Sequence, residues 1–341
     1  MTTLRLEQPG TLRIVADQPV AEPGPGEALV RVHRVGVCGT DYHAYRGKQP
    51  FFSYPRILGH EVGVEVIALG ADVTNVGIGD HCAIEPYIDC GTCIACRRGR
   101  NNACVNMQVL GVHIDGAHRE RFTLPARKLH RSASLTFDQL ALVETLGIGA
   151  HAVERARVGA DDTVLVLGVG PIGLSAVQFA QAAGARTVVM DPNQERLRFV
   201  RERFAVSETL SPAADPQATE SLLKERLGEL PTVVIDATGA PPSMAAAFNY
   251  PCHGGTLVFV GLFPGDITFN DPNFHRRELT LMGSRNAASA DFRRIITLIE
   301  QGRIDTGPWI THRAAAADLP QRITEWLNPA SGVLKAMLSF S

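Results

Sequence analysis

The sequence predicts an α/β protein of two domains, an irregular mainly β domain and a doubly wound parallel sheet. Three observations predict it. Short β-branched runs broken by Gly, Pro, Asn and Asp fill residues 4–135, an apolar strand opens directly onto Gly168-Val-Gly170-Pro-Ile-Gly173, and four cysteines crowd between Cys90 and Cys104. At 341 residues the chain is too long for one ordinary core.

Composition narrows the classes. The apolar share of 45% and charged share of 20% are those of a globular chain without a disordered tail. A formal charge of -2 offers no electrostatic reason to expect nucleic acid or an anionic membrane as partner. Residues 1–10 lack the basic and apolar regions of a signal peptide. The apolar stretch 163–185 carries Gly168, Gly170, Gly173, Pro171 and two glutamines, so it reads as a buried strand turning into a helix rather than a membrane span. A soluble, cytoplasmic protein is expected.

In chain order, Ala28-Leu-Val-Arg-Val-His33, Val62-Gly-Val-Glu-Val-Ile67 and Asp80-His-Cys-Ala-Ile84 read as strands, separated by turn clusters such as Pro23-Gly-Pro-Gly26. Between them stand Cys38-Gly-Thr-Asp-Tyr-His43 and Gly59-His60-Glu61. Singly, Cys38 reads as a small buried hydrophobe and His60 as a satisfied core histidine. Together they offer the mixed sulfur and nitrogen donors that zinc takes in tetrahedral geometry, with Glu144 the expected third ligand. Three protein ligands leave a fourth position for water or substrate, which makes such a site catalytic.

Cys90-x2-Cys93-x2-Cys96-x7-Cys104 follows. Four thiolates at this spacing close around a zinc at about 2.3 Å each and leave no open position, so this second zinc is structural. An odd total of seven cysteines also argues for metal before disulfides.

Residues 138–144 read as helix and 147–157 as a second helical piece. The strand 163–167 then leads into the glycine motif and a helix over 174–183. In that context the first glycine makes the turn, Gly170 admits a pyrophosphate and Gly173 lets helix and strand approach. The helix start faces the phosphates with unpaired N–H groups, from Pro171 and Ile172 onward. The next strand, 186–190, ends on Asp191, whose carboxylate can accept from a ribose diol. Arg196 lies close by in sequence. Further strand segments at 232–239 and 256–261 contain Thr238 and Gly261, two more expected cofactor contacts. The tail carries a helix over 291–301 and a short strand near 332–338.

These residues resemble the zinc-dependent alcohol and polyol branch of the medium-chain dehydrogenase/reductase family, along essentially the whole chain. Cys38-Gly-Thr-Asp, Gly59-His-Glu61, the four-cysteine lobe, Val166-Leu-Gly-Val-Gly-Pro-Ile-Gly173 and Gly254-Gly-Thr-Leu-Val match in order. The resemblance implies a GroES-like catalytic domain (1–142 and 285–341, with the zinc lobe at about 88–106) interrupted by a Rossmann domain (143–284), and an active site between them. It implies that Cys38 and His60 ligate a catalytic zinc with one of Glu61 and Glu144, where alcohol dehydrogenases place a second cysteine. Asp41 matches a carboxylate that orients a ligating histidine. Thr40 and His43 match a proton relay from substrate hydroxyl to solvent.

The implied activity is oxidation of a secondary hydroxyl on a polyol, sugar or sugar acid, with hydride passing to NAD. NAD is expected over NADP because Asp191 would face a 2′-phosphate. Arg285 and Asn286, with Lys48 and Phe51 in the loop after His43, are the expected substrate contacts, since a guanidinium can bond several hydroxyls or hold a carboxylate. Threonine dehydrogenation or oxidation of a simple secondary alcohol is the alternative within enzymes. A catalytically silent nucleotide-binding regulator is the alternative from another class. A homodimer or homotetramer is expected.

Overall fold

The structure is a computed structural model and describes residues 2–16, 19–49 and 52–340. The expected contact Phe51 lies outside these residues. The chain divides into two compact units, Met1–Thr145 with Ala287–Ser341, and Leu146–Asn286.

The first unit is built on a mainly antiparallel sheet. Its order is Leu129–Arg131, His81–Ile84, Glu61–Leu69, Glu27–Val37, Lys335–Ser339 and Ile310–Ala315, with Arg121–Pro125 also paired to Glu27–Val37. The long strand Glu27–Val37 first alternates, burying Ala28, Val30 and Val32, and is wholly buried from Val35 to Val37. Alternation marks a strand with one wet face, and its loss marks the point where the strand enters the interior. That buried end positions the site. Gly36 pairs with Glu61, and Val37 pairs with Ala336 of the carboxy-terminal strand. A side chain at Gly36 would begin 2.1 Å from a Glu61 carboxylate oxygen, so only glycine leaves room for it.

One expectation is corrected here. The chain forms a single continuous helix, Phe137–Arg155, where two pieces at 138–144 and 147–157 were expected. Gly147 and Gly149 invite a break on propensity, but packing overrides it. A β-carbon at Gly149 would lie 2.3 Å from the Ala176 backbone nitrogen, so the glycine serves close helix contact.

The second unit carries a six-stranded, wholly parallel sheet. Its order is Glu208–Leu210, Arg186–Met190, Thr163–Leu167, Val233–Asp236, Thr256–Phe259 and Thr280–Gly283. The strand order reverses direction at Thr163–Leu167, the place where such sheets bind ligands at their carboxyl ends. Leu165, Val188, Val234 and Leu257 pack with Phe248 and Leu223 into its core. Among the described residues, no helix is long and apolar enough to cross a membrane.

Candidate active site

Cys38 caps the short helix Gly39–Tyr45, and its backbone N–H donates to Asp41 at 2.9 Å. His60 immediately precedes the strand Glu61–Leu69, which Glu61 opens. Folding brings one ligand atom each from Cys38, His60 and Glu61 within 4.8 Å of one another. Glu144, on the helix Phe137–Arg155, is buried against the same group and interacts electrostatically with His60 and Glu61. Of the expected metal residues, Cys38, His60 and Glu61 form one group of ligand atoms, and Glu144, the expected third ligand, is not part of it.

Two partners of this cluster had no signal in the sequence. Lys335, from the carboxy-terminal strand, donates to both Glu61 oxygens at 2.5 and 2.8 Å, and both side chains are buried. Tyr87 donates its hydroxyl to Glu144, again wholly inside the protein. Their spacings in the chain, 274 and 57 residues, put them beyond any local motif.

The electrostatics follow from these contacts. Burial alone would raise the Glu61 carboxyl, but the Lys335 ammonium and His60 outweigh it and hold Glu61 below its ordinary value. Glu144 is pushed up by burial and by the like charge of Glu61, against His60 and the Tyr87 hydroxyl. Burial draws the His60 imidazole down, yet Cys38, Asp41 and Glu144 together carry it well above its usual range. The Lys335 cation is taken up by Glu61, while Cys38, Asp41 and Glu144 act together on His60. The His60 Nδ1 and Asp41 Oδ1 atoms, 3.9 Å apart, have no hydrogen-bond partner. A divalent cation among Cys38, His60 and Glu61 supplies the missing positive charge, so the donor set fits zinc.

The lobe passes a second test. All seven cysteines are free thiols, and the Cys90, Cys93, Cys96 and Cys104 sulfurs form one group. Their spacings include 3.5 Å for Cys93 to Cys96, 3.5 Å for Cys104 to Cys90 and 3.9 Å for Cys93 to Cys104. A tetrahedron of sulfurs about 2.3 Å from one zinc has edges of roughly 3.8 Å. Backbone N–H groups of Thr92 and Cys93 draw the Cys90 thiol down to about 5. Cys96, desolvated among its neighbours, is pushed up to about 12, the response to crowding another negative charge there.

In the second unit the glycine motif opens the helix Pro171–Ala182. A β-carbon at Gly173 would lie 1.8 Å from the Gly168 carbonyl oxygen, whereas one at Gly170 would meet nothing within 4 Å. Gly173 therefore serves packing, and Gly170 keeps a face open. No side chain caps the first turn of that helix. Gly168, Thr238 and Gly261 gather at the strand ends: a β-carbon on Gly168 would touch Thr238 at 2.8 Å, and one on Gly261 would meet Gly239 at 2.2 Å. Buried Asp191 accepts from the Val169 and Asn193 N–H groups at 2.9 and 2.8 Å. Arg196 stands 3.8 Å from it. This is a cradle for a dinucleotide, with the acid fixed beside it.

Thr40 is half-buried and His43 exposed, three positions apart on the helix Gly39–Tyr45 and so on one face. Lys48 is exposed in the first unit. Arg285, exposed, and Asn286, with a positive φ of 55°, end the second.

Comparison with known proteins agrees with this geometry. The alcohol dehydrogenase GroES-like domain model matches residues 24–134, and the zinc-binding dehydrogenase model matches residues 171–301. L-galactonate-5-dehydrogenase of Escherichia coli K12 is 39% identical over 343 residues, covering 100% of this chain and 99% of that protein. The 2-dehydro-3-deoxy-L-galactonate 5-dehydrogenase of Pseudoalteromonas atlantica is 32% identical over 302 residues, 87% of each chain. The crystal structure of an alcohol dehydrogenase (rspB) from Escherichia coli CFT073 with NADH superposes with a TM-score of 0.92 at 28% identity, over 100% of this chain and 99% of that one. With the metal-binding donors, the cofactor cradle and these matches in hand, the chain belongs to the zinc-dependent medium-chain dehydrogenase family, a GroES-like domain joined to a Rossmann domain.

Proposed function

We propose that the protein oxidises a secondary hydroxyl of a polyol, sugar or sugar acid, using a catalytic zinc and NAD, with a second zinc in the four-cysteine lobe. The Cys38, His60 and Glu61 group carries this reading, because a divalent cation would balance its charge and it offers three ligands rather than four. Zinc held there acts as a Lewis acid toward the substrate oxygen. Cys38 and His60 hold the metal in either arrangement. Glu61, within reach of the group but paired to Lys335, and Glu144, held by Tyr87, share the remaining role.

Thr40 Oγ1 accepts the hydroxyl proton as it gives its own proton on into a relay, and His43, at the outer end of that relay, takes up a proton and releases one to water. The half-buried and exposed placement of the two side chains suits that direction. The Gly170 face and the start of the helix Pro171–Ala182 receive the pyrophosphate, and Asp191 receives the adenosine ribose. NAD is favoured over NADP because a 2′-phosphate would stand against the Asp191 carboxylate, with exposed Arg196 a partial offset. The acidic substrates named for the two relatives support a sugar acid, whose carboxylate Arg285 would hold. An exposed sheet edge, Thr280–Gly283, with Leu281 turned to solvent, supports a homodimer or homotetramer.

The test uses purified enzyme with NAD against sugar acids, polyols, plain secondary alcohols and threonine. A sugar acid or polyol should turn over best. Arg285→Ala should then lower kcat/KM mainly for that substrate. Equal losses on a plain secondary alcohol, or a wild-type preference for the plain alcohol, would overturn the substrate class.

A further inference from the structure

Tyr87 lies between two anchors. Two residues before it, buried Glu85 accepts from Lys128, from His130 Nε2 at 2.9 Å and from Ser289 Oγ at 2.6 Å. Two residues after it, Asp89 accepts from the same Lys128 at 2.8 Å, from Arg127 at 2.5 Å and from Asn101 of the cysteine lobe at 2.7 Å. One buried ammonium thus grips both ends of a five-residue segment. The Tyr87 ring meets Phe292 edge-on at 6.3 Å, and Phe292 stacks on His130 at 5.0 Å. With the ring bracketed and only 3% exposed, its hydroxyl can point in few directions, and it points at Glu144.

Glu144 needs such a partner. A glutamate on a helix has three rotatable bonds, and this one is buried beside a second carboxylate that repels it. Without a donor it would swing away or take up a proton.

We propose that Tyr87 is a positioning residue: its hydroxyl holds the Glu144 carboxylate against the Cys38, His60 and Glu61 group, and the grip of Glu85 and Asp89 on Lys128 sets where that hydroxyl stands. The cysteine lobe, which supplies Asn101 to Asp89, thereby shares one rigid segment with the reaction site. This rests on the proposed metal-dependent oxidation, and adds the residue that aims its buried glutamate.

The experiment is a double-mutant cycle of Tyr87→Phe and Glu144→Gln in the metal-loaded enzyme, with the visible spectrum of the cobalt-exchanged protein as a second readout. Phe keeps the ring against Phe292 and removes only the hydroxyl. Tyr87→Phe should lower kcat about ten- to hundredfold, the loss of one hydrogen bond to a charged group, and leave KM for NAD unchanged. The cobalt bands should shift, and Tyr87→Phe should add little once Glu144 is already glutamine. Asp89→Asn, which loosens the lobe-side anchor without touching Tyr87, should shift the bands in the same direction and serves if Tyr87→Phe does not fold. Multiplying losses in the double variant, or wild-type bands in both Tyr87→Phe and Asp89→Asn, would overturn the proposal. The bands are read without substrate. If no polyol or sugar acid turns over while the bands shift non-additively, the substrate reading falls and the role of Tyr87 stands.

Discussion

Lys335→Met removes the buried cation that holds Glu61. The two side chains are 3% and 1% exposed, and the ammonium stands 2.5 and 2.8 Å from the carboxylate oxygens. Deleting one partner of such a pair leaves a buried charge uncompensated, at about 3–5 kcal/mol. Methionine keeps the length and apolar stem of lysine, so little of the loss would come from a cavity. A metal among Cys38, His60 and Glu61 supplies positive charge to the same carboxylate. The loss should therefore be smaller in zinc-loaded than in metal-depleted protein. The assay is favourable, because both tryptophans of the chain, Trp309 and Trp326, are buried in the first unit. Urea unfolding followed by tryptophan fluorescence then reports that unit alone. In metal-depleted protein the midpoint should fall by about 1–2 M at an unchanged slope. A loss below about 1 kcal/mol, the range of a surface pair, would refute the reasoning. So would equal losses in the two metal states.

Other outcomes follow from the same structure. Gly170→Ala should leave the melting temperature unchanged, since its β-carbon meets nothing within 4 Å, yet weaken NADH binding at least tenfold by filling the pyrophosphate face; unchanged affinity by fluorescence titration would count against the cradle. Cys93→Ser should lower zinc per chain by one and reduce stability, and unchanged metal analysis together with unchanged melting would dismiss the lobe zinc. Catalytic efficiency with NAD should exceed that with NADP, and the reverse would remove Asp191 as the discriminator. Asp89 is pushed up by burial, but Lys128, Arg127 and Asn101 outweigh this and hold its carboxyl well below the ordinary range. A depressed carboxylate stabilises above its unfolded pKa of about 4, and the contribution is lost as pH falls toward the folded value. The melting difference between wild type and Asp89→Asn should thus be full near pH 6 and shrink below about pH 4; a gap that widens in acid would contradict the ion-pair network.

Some of this protein was determined by short-range sequence. Cys90, Cys93, Cys96 and Cys104 sit close enough along the chain to meet around one ion in almost any loop that lets them, and the structure groups their sulfurs. The strand, Gly168-Val-Gly170-Pro-Ile-Gly173, helix, strand and Asp191 run is likewise local, because turn, phosphate approach and helix packing are all set within thirty residues. Cys38 and His60 were legible by residue type, since sulfur and imidazole donors close together suit a metal, whereas Glu61 entered only through the family resemblance.

Only the tertiary structure decided the rest. Whether 137–155 is one helix or two depended on what Gly149 packs against, which helix propensity does not contain. Lys335 and Tyr87 are an ordinary lysine and tyrosine in sequence. They become the partners of Glu61 and Glu144 because strand pairing sets Val37 beside Ala336 and because Lys128 pins the segment around Tyr87. A buried charge must be compensated by whatever the fold delivers within about 3 Å. Pairing register, summed over the whole chain, determines what arrives there.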